Sequence, residues 1–246
     1  MRPTYLEVNL SQLKQNLENI RKHVSPAKVL VVLKANAYGH GVDGVAPFIA
    51  PFADYIGVAI VEDGIHLRKL GIVTPILVMG GTLPEQLPDF FEYDLTLAAS
   101  SLDLLTAAEQ LAESTRKRLK VHLKIDTGME RTGVHEYEAE PFIEKSLACS
   151  HLNIEGIFTH FANSEVPSLR GTDGRVGGVR PPYRDPAPEQ SLTELEIAPG
   201  LSPLATTSAT LQLERFQEVL SIYERRSTPA PSIRHTANSG ATLLLP

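Results

Sequence analysis

The sequence predicts an α/β fold of the (β/α)8 barrel class. Three observations lead there. Short apolar, β-branched runs alternate with stretches of helical periodicity. Seven such runs follow the first helix. No dinucleotide fingerprint follows the first run, because Ala-Asn-Ala-Tyr-Gly-His-Gly at 35–41 does not fit G-x-G-x-x-G. Alternation at this period means right-handed βαβ units and a parallel sheet. A doubly wound open sheet is the alternative built from the same units.

From the N-terminus onward, residues 4–10 alternate apolar with polar and suggest a short strand. Ser11 can cap a helix reaching about His23, with Leu13, Leu17 and Ile20 on one face. Residues 28–33 form the first run, short and continuously apolar, as a strand covered on both faces requires. Similar runs recur at 55–60, 75–79, 94–97, 119–125, 153–158 and 232–235. Helical stretches lie between them, at about 42–53, 62–70, 84–91, 102–113, 138–148 and 211–225. Asp63 stands at the start of one, and Ser101 and Asp103 at the start of another. Residues 164–208 are rich in Pro, Gly, Ser and Thr and are expected to form a flexible surface insertion after the sixth run. Residues 240–246 begin like a helix and then stop, so the chain looks like a fragment that still needs its eighth strand.

Composition narrows the functional classes. The 246 residues carry a net charge of −6, leaving no basic surplus for nucleic-acid phosphates. With 42% hydrophobic and 21% charged residues, the chain can bury a sizeable core. The N-terminus lacks the apolar core of a secretory signal, and no apolar run approaches the ~20 residues of a membrane span. Cys149 is the sole cysteine, which excludes an intrachain disulfide and fits a reducing compartment. A cytoplasmic protein is the resulting expectation.

In a barrel, chemistry belongs at the carboxyl ends of the strands. Lys34 closes the first run. Partial desolvation there would lower its pKa and free a neutral amine for carbonyl chemistry, unless the side chain reaches solvent. His160 ends the sixth run, where a structural role is the plainer reading. Asn238-Ser-Gly240 follows the seventh run and opens a helix, which suits either a phosphate or a simple cap. Lys124, Asp126, Met129 and Arg131 surround the end of the fifth run. The two cations there can serve an anion or pair with Asp126 and Glu130.

Together these segments are more specific than any one alone. Val32-Leu-Lys-Ala-Asn-Ala-Tyr-Gly-His-Gly41 resembles the lysine motif of alanine racemases. Leu123-Lys-Ile-Asp-Thr-Gly-Met-Glu-Arg-Thr-Gly-Val134, Glu155-Gly-Ile-Phe-Thr-His-Phe-Ala162 and His235-Thr-Ala-Asn-Ser-Gly-Ala-Thr242 resemble later segments of that family, in the same order.

The resemblance implies the barrel of the fold-type III pyridoxal-phosphate enzymes. Residues 1–246 would be the N-terminal barrel domain, without its eighth strand or the C-terminal β-domain. It implies pyridoxal 5′-phosphate as cofactor, and no metal. Lys34 would bond to that cofactor and serve as one of two bases at the substrate Cα. Tyr38 and Ser239 would hold the cofactor phosphate, with Asn238 behind them. His160 would lie against the pyridine ring or support the group that contacts its nitrogen. Arg131 would meet both the cofactor phenolate and the substrate carboxylate. Lys124 would be the position that many relatives carbamylate. The implied activity interconverts L- and D-alanine and supplies D-alanine for peptidoglycan. The second base would come from a tyrosine in the β-domain of a partner subunit, in a homodimer. Without that domain the fragment alone is expected to be inactive. Alternatives within the same barrel class are a single-domain pyridoxal-phosphate homeostasis protein and an amino-acid decarboxylase.

Overall fold

The computed structural model describes residues 4–162 and 209–236. The expected insertion at 164–208 and both Asn238 and Ser239 lie outside those residues.

Seven parallel strands form one sheet: β1 (Leu30–Val32), β2 (Tyr55–Val58), β3 (Ile76–Val78), β4 (Thr96–Ala99), β5 (Leu119–Asp126), β6 (Leu152–Phe158) and β7 (Ile233–His235). Each pairs with the next in chain order. A doubly wound sheet reverses its strand order at a switch point. This one never reverses, so it is singly wound and forms an incomplete barrel. A two-residue strand, Val134–His135, pairs on the end of β5.

Helices α1 (Leu10–Val24), α2 (Val42–Ile49), α3 (Val61–Lys69), α4 (Leu87–Glu92), α5 (Leu102–Thr115), α6 (Ala139–Ala148) and α7 (Ala209–Arg225) accompany the strands. Strand alternation separates two apolar layers. Ile56, Ile76, Val78, Leu97, Val121, Leu123 and Ile125 point outward and share the main core with buried helix residues such as Leu67, Leu105 and Phe142. Leu77, Ala98 and Phe158 point inward and form a smaller cluster with Leu30, Tyr55 and Met79.

Two local expectations fail at the N-terminus. Residues 4–9 form no strand, and α1 starts at Leu10. Its cap is Asn9, whose side chain accepts the backbone N–H of Gln12, rather than Ser11. Alternation alone does not make a strand when nothing pairs with it. Asp63 is not a cap either, since α3 follows Ile60 without a side-chain cap. Ser101 does cap α5, accepting from Leu104 N–H at 3.1 Å. The fourth strand begins two residues later than its apolar run indicated, because Asp94 adopts a left-handed φ of 46°.

Candidate active site

The open end of the sheet is built from the segments that leave the carboxyl end of each strand. After β1 and Leu33 the chain makes one helical turn, Lys34–Tyr38, of the left hand. Ala35, Asn36, Ala37 and Tyr38 all have φ between 52° and 55°. For L-residues this costs roughly 1–2 kcal/mol each. Gly39 N–H closes the turn onto the carbonyls of Ala35 and Asn36, and Gly41 N–H also donates to Asn36 O. Asn36 Oδ1 accepts Val42 N–H at 2.8 Å, tying the turn to the start of α2. Gly39, at φ 83°, supplies the conformation a side chain resists. The turn brings Tyr38 back beside Lys34, whose Nζ lies 5.8 Å from the centre of the Tyr38 ring. Lys34 is half-buried and Tyr38 is exposed.

On β5, period-2 alternation turns His122 and Lys124 inward, and both are buried. Lys124 Nζ donates to Ile125 O at 2.9 Å and lies 5.1 Å from the centre of the Phe158 ring. Burial pushes this amine down to about 8, with the Asp126 charge opposing the shift and that of Arg131 adding to it. Lys124 is thus the deeply desolvated lysine of the pair, while Lys34 is the accessible one.

Asp126 ends β5 and organises the loop beyond it. Its Oδ1 accepts the backbone N–H groups of Gly128, Met129 and Glu130. Burial alone would raise this carboxyl, but the backbone N–H groups outweigh it and hold the group below the usual range. The alternative pairing of Arg131 with Asp126 or Glu130 does not form. Among the described residues Arg131 has no carboxylate within ion-pair distance, and Asp126 takes its backbone rather than its side chain. Asp126, Glu130 and His135 offer possible ligand atoms within 4.8 Å of one another. The Asp126 oxygens are already taken by backbone N–H groups, which argues against a cation there.

His160 follows β6. Burial pushes it down to about 4, helped by the charges of Arg131, Lys124 and Lys34. That electrostatic reach brings the four sequence-identified side chains together at one mouth. The arrangement is cationic around a neutral imidazole, with an accessible amine at its edge. It fits an anionic, aldehyde-bearing ligand: phosphate and phenolate oxygens meet cations, and Lys34 offers the nucleophile.

Residues overlooked in the sequence frame this mouth. Gln212 of α7 is fully buried. Its Oε1 accepts Ala162 N–H at 2.8 Å, and its Nε2 donates to Thr127 Oγ1 at 3.2 Å. Thr127 and Thr159 hydroxyls bond at 2.8 Å, joining the loops after β5 and β6. Nothing in a helical Gln marks such a role. Tyr55, His122, Glu155 and His235 form a further inward-facing set, for which the alternation of His122 and Lys124 in an apolar run was the available signal.

The fold and mouth define a singly wound α/β barrel domain with a lysine at the end of its first strand. The family model "Alanine racemase, N-terminal domain" matches residues 8–246, and the chain belongs to that family. It is 35% identical over its whole length to the alanine racemase of Carboxydothermus hydrogenoformans, covering 56% of that protein. It is 34% identical over 98% of its length to alanine racemase 2 of Caldanaerobacter subterraneus subsp. tengcongensis, covering 53%. The chain therefore spans about half the length of the curated relatives it matches. Among solved structures, alanine racemase of Clostridium difficile 630 in complex with cycloserine superposes with a TM-score of 0.77 at 28% identity, over 98% of this chain and 56% of that one. The Bacillus anthracis alanine racemase with bound L-Ala-P gives 0.72 at 27% identity, over 98% and 54%.

Proposed function

We propose that this chain is the cofactor-bearing barrel of a pyridoxal-phosphate enzyme that interconverts L- and D-alanine, supplying D-alanine for peptidoglycan. The observation that carries the reading is Lys34, held on a left-handed turn at the end of β1, whose charge acts on His160 together with those of Arg131 and Lys124. The C. difficile and B. anthracis neighbours, with cycloserine and L-Ala-P bound, support a substrate of alanine's size.

Pyridoxal phosphate, when bound through its aldehyde, supplies an electron sink that acidifies the substrate Cα–H. The chain's residues do the rest. Lys34 would hold the cofactor through its Nζ and would take or return the Cα proton on one face. By family analogy that is the D-alanine proton. Arg131 holds the substrate carboxylate and the phenolate oxygen. His160, kept neutral by burial, would lie against the pyridine ring or support the group that meets its nitrogen, without adding charge. Tyr38 binds the phosphate together with Ser239 and Asn238, which lie outside the described residues. Lys124 would carry a carbamate: at a pKa of about 8 part of its amine is neutral, can add carbon dioxide with loss of a proton, and the resulting anion would pair with Arg131. The opposite-face base comes from a partner subunit, in a cytoplasmic homodimer.

The test uses the full-length protein. Borohydride reduction with pyridoxal phosphate is expected to leave a pyridoxyl group on the peptide containing Lys34. Lys34→Ala is expected to abolish deuterium exchange at Cα of both alanine enantiomers. Exchange retained with both would overturn the assignment.

A further inference from the structure

A buried chain of polar groups runs along the inner face of the sheet, and the proposed reaction makes no use of it. At its inner end the Tyr55 hydroxyl donates to Glu155 Oε1 at 2.7 Å and pairs with Thr96 Oγ1 at 2.5 Å. Glu155 reaches this place through an irregularity. Strands β5 and β6 pair Val121 with Ile154 but His122 with Gly156, so Glu155 is the extra residue of a β-bulge. Ile154 packs against the outer core, whereas Glu155 and Gly156 both turn inward. The bulge therefore supplies a carboxylate and, beside it, a position with no side chain. His122 fills that space: a Cβ on Gly156 would lie 2.5 Å from its ring.

His122 is fully buried. Its Nε2 makes no hydrogen bond and lies 3.5 Å from Glu155 Oε1, at ion-pair distance. Its Nδ1 lies 3.0 Å from His235 Nε2. His235 stacks on Phe158 at 4.5 Å, with the rings 7° from parallel. Lys124 Nζ lies 5.1 Å from the centre of the same Phe158 ring, and its charge acts on His235. Lys120 and Asp94 are the charges acting on the far end, at Glu155 and Tyr55 respectively.

With both imidazoles neutral, the donors and acceptors favour one arrangement. An ionised carboxylate only accepts, and a neutral imidazole has one donor and one acceptor nitrogen. The Glu155 charge, 3.5 Å away, favours a His122 proton on Nε2. His122 Nδ1 is then an acceptor, so the proton of His235 must sit on Nε2. His235 Nδ1 is left bare at the end of β7.

We propose that Glu155, acting through His122, fixes the tautomer of His235 and makes its Nδ1 a neutral hydrogen-bond acceptor at the mouth of the barrel. Both Glu155 and His122 are positioning residues. Within reach of the Lys124 charge, a bare imidazole nitrogen gives the site an acceptor for an N–H donor. That purpose rests on the function proposed above, but the tautomer itself does not.

The experiment is ¹⁵N–¹H correlation spectroscopy of the ring nitrogens in the histidine-labelled chain, assigned with His122→Gln and His235→Asn. Both imidazoles are expected to be protonated on Nε2 alone at neutral pH. Glu155→Gln keeps an acceptor oxygen and is expected to preserve the pattern. Glu155→Ala removes it and is expected to lose the single tautomer, giving a mixture at His235. His235 protonated on Nδ1 in the unsubstituted chain overturns the proposal, as does an unchanged pattern in Glu155→Ala. If Glu155→Ala does not fold, the unsubstituted chain and Glu155→Gln decide. Failure of the chain to bond pyridoxal phosphate, with both tautomers as expected, would count against the function and leave this inference standing.

Discussion

Asp126 Oδ2 accepts the backbone N–H of Arg131 at 3.1 Å, so a buried carboxylate sets where the Arg131 side chain begins. Three more N–H groups converge on the other oxygen. Asp126→Ala orphans all four and is expected to cost about 3 kcal/mol, as charge-assisted bonds are lost from a mostly buried loop. Asp126→Asn keeps the Oδ1 acceptor and is expected to cost about half as much. Urea denaturation of both variants measures the difference.

Ala35 is exposed and sits at φ 52°, ψ 53°. Ala35→Gly is expected to stabilise the chain by about 0.5–1 kcal/mol, because relief of left-handed strain exceeds glycine's added chain entropy. Ala35→Val is expected to destabilise it. Thermal melts of the two variants should shift in opposite directions.

Gly156→Ala places a methyl group against the His122 ring, which is fully buried and cannot retreat. Overpacking of this kind costs about 1–3 kcal/mol. The midpoint of denaturant unfolding should fall accordingly.

Acid should weaken the fold through two histidines. Burial holds His160 at about 4 and His235 at about 3. The unfolded chain binds these protons near pH 6.5 and the folded chain does not, so the unfolded state binds more protons between those values. Stability is therefore full above about 6.5 and falls as pH drops toward 3. Urea midpoints followed across that range should decline, and His235→Asn should flatten the slope.

Lys124 tests the carbamate. In ¹³C-bicarbonate buffer at mildly alkaline pH, a carbamate carbon resonance is expected from the full-length protein and is expected to vanish in Lys124→Ala. Its persistence in the variant would place the modification elsewhere.

Much of the fold was legible because buried parallel strands leave continuous apolar runs and amphipathic helices leave a 3.6-residue period. Lys34, Lys124, Arg131 and His160 were legible because each lies at or just after the carboxyl end of a strand run. The left-handed turn after Lys34 was not: Ala35 and Ala37 carry no glycine-like signature, and the turn is held by backbone bonds closed by Gly39 and Gly41. Gln212 was invisible for a similar reason, since its partners lie 50 and 85 residues away.

The sequence by itself determined the order of strands and helices, and which residues stand at the strand ends. Period and run length depend on local chemistry, which the chain carries wherever it folds. Only the tertiary structure decided that Glu155 turns inward, that His122 occupies the space beside Gly156, and that a proton on one imidazole constrains the next. Those facts depend on a shift of register between two strands, and a register exists only when both are paired.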